Sequence, residues 1–229
     1  MATFQAQVQG LTQLTMGTDP APSTTELTQF LVDGVLDITD KWLIGHPQDM
    51  ELFMRASSLT TSQGFTNNAA KIVSVVREDG ITAGNYRPCR KISPALQSQV
   101  TDIDSLSFAS KYHPVYMQNE AGTISVFPAP GASPNGYIVY YVNKDPVNGS
   151  GSSLVLGHDD IKYFPIDKVY LVALYASIKS LEAAAASKAV AQDIELQGSY
   201  TNLANNLKAE YNAAFQGQQQ QQAGAPARR

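Results

Sequence analysis

The sequence has little of what stabilises secreted proteins or anchors membrane proteins. A single cysteine, Cys89, cannot form an intrachain disulfide, which excludes a disulfide-stabilised scaffold and is typical of assembly in a reducing cytoplasm. No apolar run approaches the roughly 20 residues of a membrane span. The N-terminus also lacks the basic and apolar regions of a signal peptide. We therefore expect neither export nor membrane insertion.

Basic charge is not in excess either. Sixteen Lys and Arg residues stand against 20 Asp and Glu residues in a chain of 229, a net charge of -4, and both signs are spread along the chain. A dedicated nucleic-acid binder carries a basic face, so phosphate binding is not expected as the main role. The hydrophobic content of 43% is typical of a folded globular protein.

Motifs for chemistry are absent from the sequence. It contains no glycine-rich phosphate loop, no G-x-S-x-G and no H-E-x-x-H. His46, His113 and His158 lie in separate segments without metal-ligand spacing. The acidic pair after His158, Asp159 and Asp160, is more typical of a polar loop before a helix than of a metal site.

Two further candidates for chemistry give weak signals. Cys89 has arginine neighbours that could lower the pKa of its thiol, but no partner base is identified, and a cysteine beside a strand is usually a packed side chain. Asp102 and Asp104 could meet in space, yet nothing in the sequence indicates that either carboxylate is buried. We expect no catalytic residues, no cofactor and no metal.

A helical pattern follows an N-terminal segment that is rich in glutamine, threonine and glycine. Residues 1–22 are predicted to form an arm. Ser23 and Glu26 have the spacing of a capping box, so a helix should begin there. Its apolar stripe consists of Leu27, Leu31, Val35, Ile38 and Trp42. Gly45 and Pro47 should end the helix.

The middle of the chain, residues 61–157, is predicted to be a β-rich insertion. Residues 71–78 are rich in β-branched side chains and run into an Asp-Gly turn, with residues 86–92 as the expected partner strand. Residues 123–142, TISVFPAPGASPNGYIVYYV, predict a hairpin around a turn of proline, glycine and asparagine.

The strand that ends this predicted hairpin is apolar on both faces. Such a strand must be covered on both sides. We expect one face to pack within the insertion and the other against a helix or a neighbouring subunit. The residues predicted to form this interface are Phe127, Tyr137, Tyr140 and Tyr141. Together with Tyr112 and Tyr116, they could instead form an aromatic platform for a carbohydrate.

Helical periodicity returns after a glycine- and serine-rich loop. Residues 158–215 are predicted to complete a helical bundle with residues 23–60. Pro165 lies near the helix start, and two apolar stripes follow, one through Leu174 and one through Leu207. Residues 216–229 lack apolar periodicity and predict an extended C-terminal tail that only a partner would order. The predicted fold class is α+β, an α-helical bundle with long helices and an inserted small antiparallel β-rich subdomain.

Several segments then carry a resemblance to a known family. They are Phe127-Pro128-Ala129-Pro130, Tyr140-Tyr141, Phe164-Pro165 at the start of the long helix, and Leu171, Tyr175 and Lys179 within it. Their order resembles the head-to-tail connector proteins of tailed bacteriophages, and more narrowly the portal adaptor or head-completion family. The similarity covers roughly residues 23–215 and is one of composition and order.

The resemblance implies a structural virion protein of the neck. Such a protein assembles in the host cytoplasm as a homo-oligomeric ring, a dodecamer, under the portal protein. The ring extends the channel through which double-stranded DNA passes without sequence-specific binding, and it docks the next neck or tail protein. No enzymatic activity and no membrane are implied.

The C-terminal segment is the part that the resemblance assigns to the portal contact. The residues are Gln216, Gln218, Gln219, Gln220, Arg228 and Arg229. Two alternatives to the adaptor role remain at this point. One is another neck component, such as a stopper or head-closure protein, and the other is a carbohydrate- or host-binding accessory module of the virion.

Overall fold

The computed structural model describes residues 2–66, 71–119 and 122–223, without the side chains of 216–223. The chain divides into two compact units. Met1–Leu52 and Asp145–Arg229 form one unit, called here the helical unit, and Phe53–Lys144 form the other, called the β unit. The β unit thus begins earlier and ends earlier than the inserted segment 61–157 expected from composition.

In chain order, two helices of the helical unit come first, the strands and one short helix of the β unit follow, and two further helices of the helical unit come last. The α-helices are α1 (Phe4–Thr12), α2 (Thr24–Gly45), α3 (Gln97–Thr101), α4 (Val169–Val190) and α5 (Ile194–Ala223). The strands are β1 (Met54–Ala56), β2 (Phe65–Thr66), β3 (Ile72–Glu78), β4 (Tyr86–Pro88), β5 (Arg90–Lys91), β6 (Val115–Gln118), β7 (Thr123–Phe127) and β8 (Tyr137–Val142).

Helix α2 begins at the predicted capping box. The Ser23 hydroxyl accepts a hydrogen bond from the backbone N–H of Glu26 at 3.2 Å, and the Glu26 carboxylate accepts one from the backbone N–H of Ser23 at 2.8 Å. The bond from the Ser23 N–H lowers the pKa of Glu26, and next the Ser23 hydroxyl, which donates to the same carboxylate at 2.8 Å, lowers it as well. All five residues of the predicted apolar stripe are buried, and α2 packs against α4.

Helix α4 is the central helix of the helical unit. It packs against α1, α2 and α5, so most of its surface is apolar and buried. Ser177 and Ser180 are buried too, and their hydroxyls donate to the carbonyls of Ala173 and Ala176, one turn back. By length and composition Ile166–Val190 could cross a bilayer, but 67% of its apolar window is buried within the protein, as in a core helix.

The predicted N-terminal arm is wrong, because part of it forms helix α1. Phe4 and Val8 lie one turn apart on this helix and are fully buried, and α1 packs against α4. The backbone N–H of Phe4 donates to the carbonyl of His158 at 2.8 Å. The burial of two large apolar side chains on one face is enough to dock a short helix. The polar residues around them hide the helical pattern from sequence analysis.

The β unit contains two four-stranded sheets in its described residues. The first has the order β1-β8-β3-β4 and is antiparallel, and the second has the order β2-β7-β6-β5. In the second sheet β5 and β6 are parallel. A shared core joins the sheets and consists of Val75, Tyr116, Ile124, Val126, Tyr137 and Val139. The sheets therefore pack face to face.

The second sheet is covered on its other face as well. Val115 and Met117 of β6 pack there with Ile92, Val100 and Ala109, residues that flank or belong to the short helix α3. Because side chains alternate along β6, Tyr116 faces the inter-sheet core while its two neighbours face the α3 side. The apolar character of both faces of β6 is thus explained within the β unit.

The predicted fold class is wrong in its architecture, although helices and strands do segregate. The β part is not one small antiparallel subdomain, since it consists of two packed sheets, the second of them mixed. Long helices make up only part of the helical unit, which also holds α1 and a 3-10 turn at Ile166–Lys168. Strands that are apolar on both faces need a second sheet, and this requirement produces the larger β unit.

The predicted hairpin of residues 123–142 is also wrong. Its two strands exist as β7 and β8, but β7 lies in the second sheet and β8 in the first. Residues 128–136 therefore cross from one sheet to the other. A similar crossing occurs at Cys89, which separates β4 in the first sheet from β5 in the second. Alternation predicts where strands lie but not which strands pair.

Helix α5 packs antiparallel to α4 after a three-residue turn at residues 191–193. The extended tail predicted from residue 216 is wrong for residues 216–223, because α5 continues to Ala223. Glutamine is a good helix former, and no proline lies between Pro165 and Pro226, so the glutamine run can extend a helix that has already begun.

An aromatic cluster holds α5 against α2 and α4 within the helical unit. The Tyr211 ring lies 5.9 Å from the Tyr175 ring and 5.1 Å from the Phe215 ring, measured between centroids. The buried Tyr211 hydroxyl donates to the Asp37 carboxylate of α2 at 2.6 Å. Burial, and next the Asp37 carboxylate, raise the pKa of Tyr211. Tyr211 thus links α2, α4 and α5.

Replacing Tyr211 by phenylalanine should lower the free energy of unfolding by about 2 kcal/mol, because a buried hydrogen bond to a carboxylate is lost while the ring stays. The matched control is Tyr170→Phe, which removes an exposed hydroxyl bonded to Glu210 and should cost less than about 0.5 kcal/mol. Urea unfolding followed by circular dichroism measures both. Equal costs for the two variants would contradict the linking role of Tyr211.

Candidate functional site

The four residues predicted to form the insertion interface do not lie together. Phe127 ends β7 and packs on the α3 side of the second sheet. Tyr137 and Tyr141 of β8 face the core between the sheets, Tyr137 fully buried and Tyr141 half-buried beside Phe65, with ring centroids 5.8 Å apart. Tyr140 is half-buried on the opposite face of β8. Only Tyr140, Tyr141 and Phe127 therefore retain exposed area for a neighbour.

Tyr137 has a role within the β unit. Its hydroxyl accepts a hydrogen bond from the backbone N–H of Phe65 at 3.3 Å and donates to the carbonyl of Ser62 at 3.2 Å. Burial raises the pKa of Tyr137. The ring thus spans the inter-sheet core and holds the segment before β2, which belongs to the opposite sheet.

The aromatic platform considered for a carbohydrate is largely buried. Tyr116 and Tyr137 are core residues, and Phe127, Tyr140 and Tyr141 are half-buried. Tyr112 is exposed. A flat stack of exposed aromatic rings is therefore not formed by these six residues.

Three consecutive charged residues are buried at the end of β3, and sequence reasoning missed them. Arg77, Glu78 and Asp79 each expose less than 5% of their surface. The Arg77 guanidinium donates to the carbonyls of Pro128, at 3.1 Å, and Ala129, at 3.4 Å. It therefore fixes the start of the crossing segment between the two sheets. An Arg-Glu-Asp run at a strand end predicts a solvated turn, so residue type carries no signal of this burial.

Glu78 fixes the end of the same crossing segment. Its carboxylate accepts hydrogen bonds from the Ser133 hydroxyl at 2.9 Å and the Gly136 N–H at 2.8 Å. It also accepts one from the Gly84 N–H at 3.1 Å. Burial alone would raise the pKa of Glu78, but these bonds and the Arg77 charge together lower it below its ordinary value of 4.5.

Asp79 shapes the turn between β3 and β4. Its carboxylate accepts hydrogen bonds from the N–H groups of Ile81 and Thr82, at 2.8 and 2.9 Å, and from the Asn85 side chain at 2.6 Å. The two backbone bonds are the main reason that its pKa is lowered. The Asp-Gly turn predicted here is thus a larger loop built around the aspartate.

A groove of about 530 Å³ lies beside this loop in the β unit. Its lining includes the basic residues Arg87 and Arg90 and the apolar or aromatic residues Leu106, Phe108 and Tyr112. The Arg87 guanidinium stands 5.1 Å from the centre of the Tyr112 ring, a cation–π contact. The groove, called here the basic groove, combines positive charge with exposed apolar side chains and is the main candidate surface of the β unit.

Charge is divided unevenly between the two units. The β unit, Phe53–Lys144, has eight Lys and Arg residues and five Asp and Glu residues, a net charge of +3. The rest of the chain has eight basic and fifteen acidic residues, a net charge of -7. The small net charge of the whole chain conceals this difference. Summing the charges of each segment separately would have revealed it once the boundaries of the units were known.

The predicted portal-contact residues belong to the end of α5 or lie beyond it. Gln216, Gln218, Gln219 and Gln220 are in helix α5, and Arg228 and Arg229 lie outside the described residues. Immediately before them, Phe215 packs edge-on against Tyr211 and Trp42, with centroids 5.1 and 6.3 Å apart. The glutamine segment thus follows a well-anchored turn of helix.

Cys89 and His158, which were considered as candidates for reactivity or metal binding, make contacts that support the fold. Cys89 packs against the inter-sheet core, and burial raises the pKa of its thiol to about 12, opposite to the effect considered for its arginine neighbours. The His158 ring contacts the Asn148 side chain at 2.8 Å and the Val155 N–H at 3.1 Å. Within the described residues, no group of three or more His, Cys, Asp or Glu side chains could hold a metal ion.

Comparison with known protein families finds no match to this chain, and no curated protein is detectably similar to it in sequence.

Changing Glu78 to glutamine should reduce the amount by which the free energy of unfolding falls at acidic pH. Because the folded-state pKa of Glu78 is lowered, its ionised form stabilises the fold above pH 4.5, and this contribution is lost as the pH falls through the folded pKa. The wild-type free energy of unfolding should therefore fall more between pH 5 and 3 than that of Glu78→Gln. At pH 7 the variant should be less stable by about 2 kcal/mol.

Urea unfolding at a series of pH values measures this effect. Glu51→Gln is the control, since Glu51 is an exposed glutamate and its replacement should leave the acid limb unchanged. If the free energy of unfolding of Glu78→Gln falls as much between pH 5 and 3 as that of the wild type, the Glu78 carboxylate does not make the contribution assigned to it.

Proposed function

We propose that this chain is a structural subunit of the neck of a tailed-bacteriophage virion, a head-to-tail adaptor. Copies of the chain form a ring under the portal protein, a dodecamer by resemblance to other connector proteins. The ring extends the DNA channel and docks the next neck or tail component. Its function is mechanical and involves no chemical step, cofactor or membrane.

The observation that carries the proposal is that α5 continues, from a base anchored by aromatic residues, through the glutamine-rich residues that start at 216. Tyr211 and Phe215 anchor α5 to α2 and α4, and the helix then continues for eight residues, about two turns. A helix fixed at its base can present its last turns to another protein without a large ordering cost. This supports the assignment of residues 216–229 to the portal contact.

The charge of the helical unit supports the passage of DNA. A channel wall that lets a duplex slide should make few contacts that release counterions from phosphates. The helical unit has a net charge of -7. In the proposed ring it would contribute a wall with little affinity for the DNA backbone.

Ring formation is the first test of the proposal. The purified full-length chain, alone and with the portal protein encoded in the same genome, would be imaged by negative-stain electron microscopy and weighed by mass photometry. We expect closed rings at least in the sample that contains the portal protein. Rings in the sample without it would also agree with the proposal. A chain that stays monomeric in both samples would contradict the proposal.

Two truncations test the portal contact. Removing residues 216–229 should abolish co-purification with the portal protein, because all of the predicted contact residues are lost. Removing only residues 224–229 keeps α5 whole and isolates the contribution of Arg228 and Arg229. Neither truncation should change the thermal unfolding midpoint, since the aromatic cluster remains. Unchanged portal binding by the longer truncation would exclude the segment as the contact.

A further inference from the structure

The turn between α4 and α5 exposes an unusual set of apolar side chains. Val190, Ile194 and Leu196 are 88%, 79% and 41% exposed. Asp193 and Glu195 lie among them. Apolar side chains clustered at the surface and flanked by charge are typical of a protein contact. This set, residues 190–196, is called here the acidic corner.

The acidic corner is well ordered by its own hydrogen bonds. The Asp193 carboxylate accepts from the Leu196 N–H at 3.3 Å, as a cap at the start of α5, and the Asp193 N–H donates to the Lys188 carbonyl at 3.0 Å. Gln192 takes a left-handed conformation with φ of +59° and completes the turn. A preformed corner loses little conformational entropy when it binds.

The basic groove has the complementary properties. Arg87 and Arg90 provide two positive charges, and Leu106, Tyr112 and Phe108 expose apolar surface beside them, with Leu106 fully exposed. The groove therefore presents positive charge and apolar surface together to an acidic, apolar partner.

We propose that the acidic corner of one copy docks into the basic groove of the next copy. Two carboxylates would face two guanidinium groups, and Val190, Ile194 and Leu196 would pack against Leu106, Phe108 and Tyr112. The opposite net charges of the β unit and the helical unit favour the same pairing at longer range.

The two surfaces are different, so the contact is heterologous and repeats from copy to copy, which closes a ring when the rotation between copies allows it. This inference rests on the proposed function, since it names the contact between neighbouring ring subunits.

A pair of charge-reversed variants tests the contact. The groove variant is Arg87→Gln with Arg90→Glu, and the corner variant is Asp193→Asn with Glu195→Lys. Asparagine at 193 keeps the helix cap, and glutamine at 87 keeps a polar side chain. Each variant alone should self-associate at least roughly tenfold more weakly than the wild type, since like charges then meet at every contact.

A mixture of the two variants is the decisive sample. The reversed groove of one then meets the reversed corner of the other, and the unchanged surfaces match as well. Mass photometry should therefore show assembly in an equimolar mixture but not in either variant alone. Recovery in the mixture also shows that both variants are folded. Lys71→Glu, an exposed reversal in the β unit outside the groove, is the control and should assemble normally.

Other outcomes overturn the inference. If each variant assembles alone as the wild type does, the contact does not join copies of this chain. The same conclusion follows if the mixture stays dissociated although both variants give native circular dichroism spectra. If the variants form rings but lose a downstream neck protein or DNA, the groove binds that partner instead. These results leave the proposed ring standing, whereas a wild type that never assembles removes the proposed function itself.

Discussion

Burial of Arg77 and Glu78 at the end of β3 is the interaction on which the β unit depends. Buried charges are unfavourable unless hydrogen bonds replace the water they lose. Here the replacements are backbone groups of the segment that crosses between the sheets. That segment cannot move without leaving a charge unsatisfied, so the two charges fix how β7 leads to β8. Asp79 extends the same arrangement to the loop beside the basic groove.

The helical unit depends on a different constraint, the nearly complete burial of α4. Helices α1, α2 and α5 each cover part of it, and Tyr211 adds a directed contact through the Asp37 carboxylate. The uneven distribution of charge between the units then gives a single chain two surfaces of opposite character, the acidic corner and the basic groove. In the contact proposed above, these two surfaces of neighbouring copies would pair opposite charges.

The parts of the fold that could be predicted from sequence are those decided by local chemistry. The capping box at Ser23 and the apolar stripe of α2 were found because their spacing alone implies a helix. Strands β3, β7 and β8 were found for the same reason, but their pairing was not, since tertiary contacts choose the partner. Helix α1 was missed because Phe4 and Val8 are too few to show a period. The buried Arg77 and Glu78 were missed because residue type predicts exposure, and because two of their backbone partners, Pro128 and Gly136, lie more than 50 residues away.

The place of the β unit within the chain has a consequence during synthesis. Helix α2 ends at Gly45, and α4, which buries its apolar stripe, begins at Val169, about 120 residues later. At 5–20 residues per second the ribosome needs roughly 6–25 s to make that stretch. The β unit closes when β8 pairs with β1 and β3, and it is complete before α4 exists. The nascent chain therefore carries a folded β unit behind two helices whose apolar faces stay open to chaperones until α4 emerges.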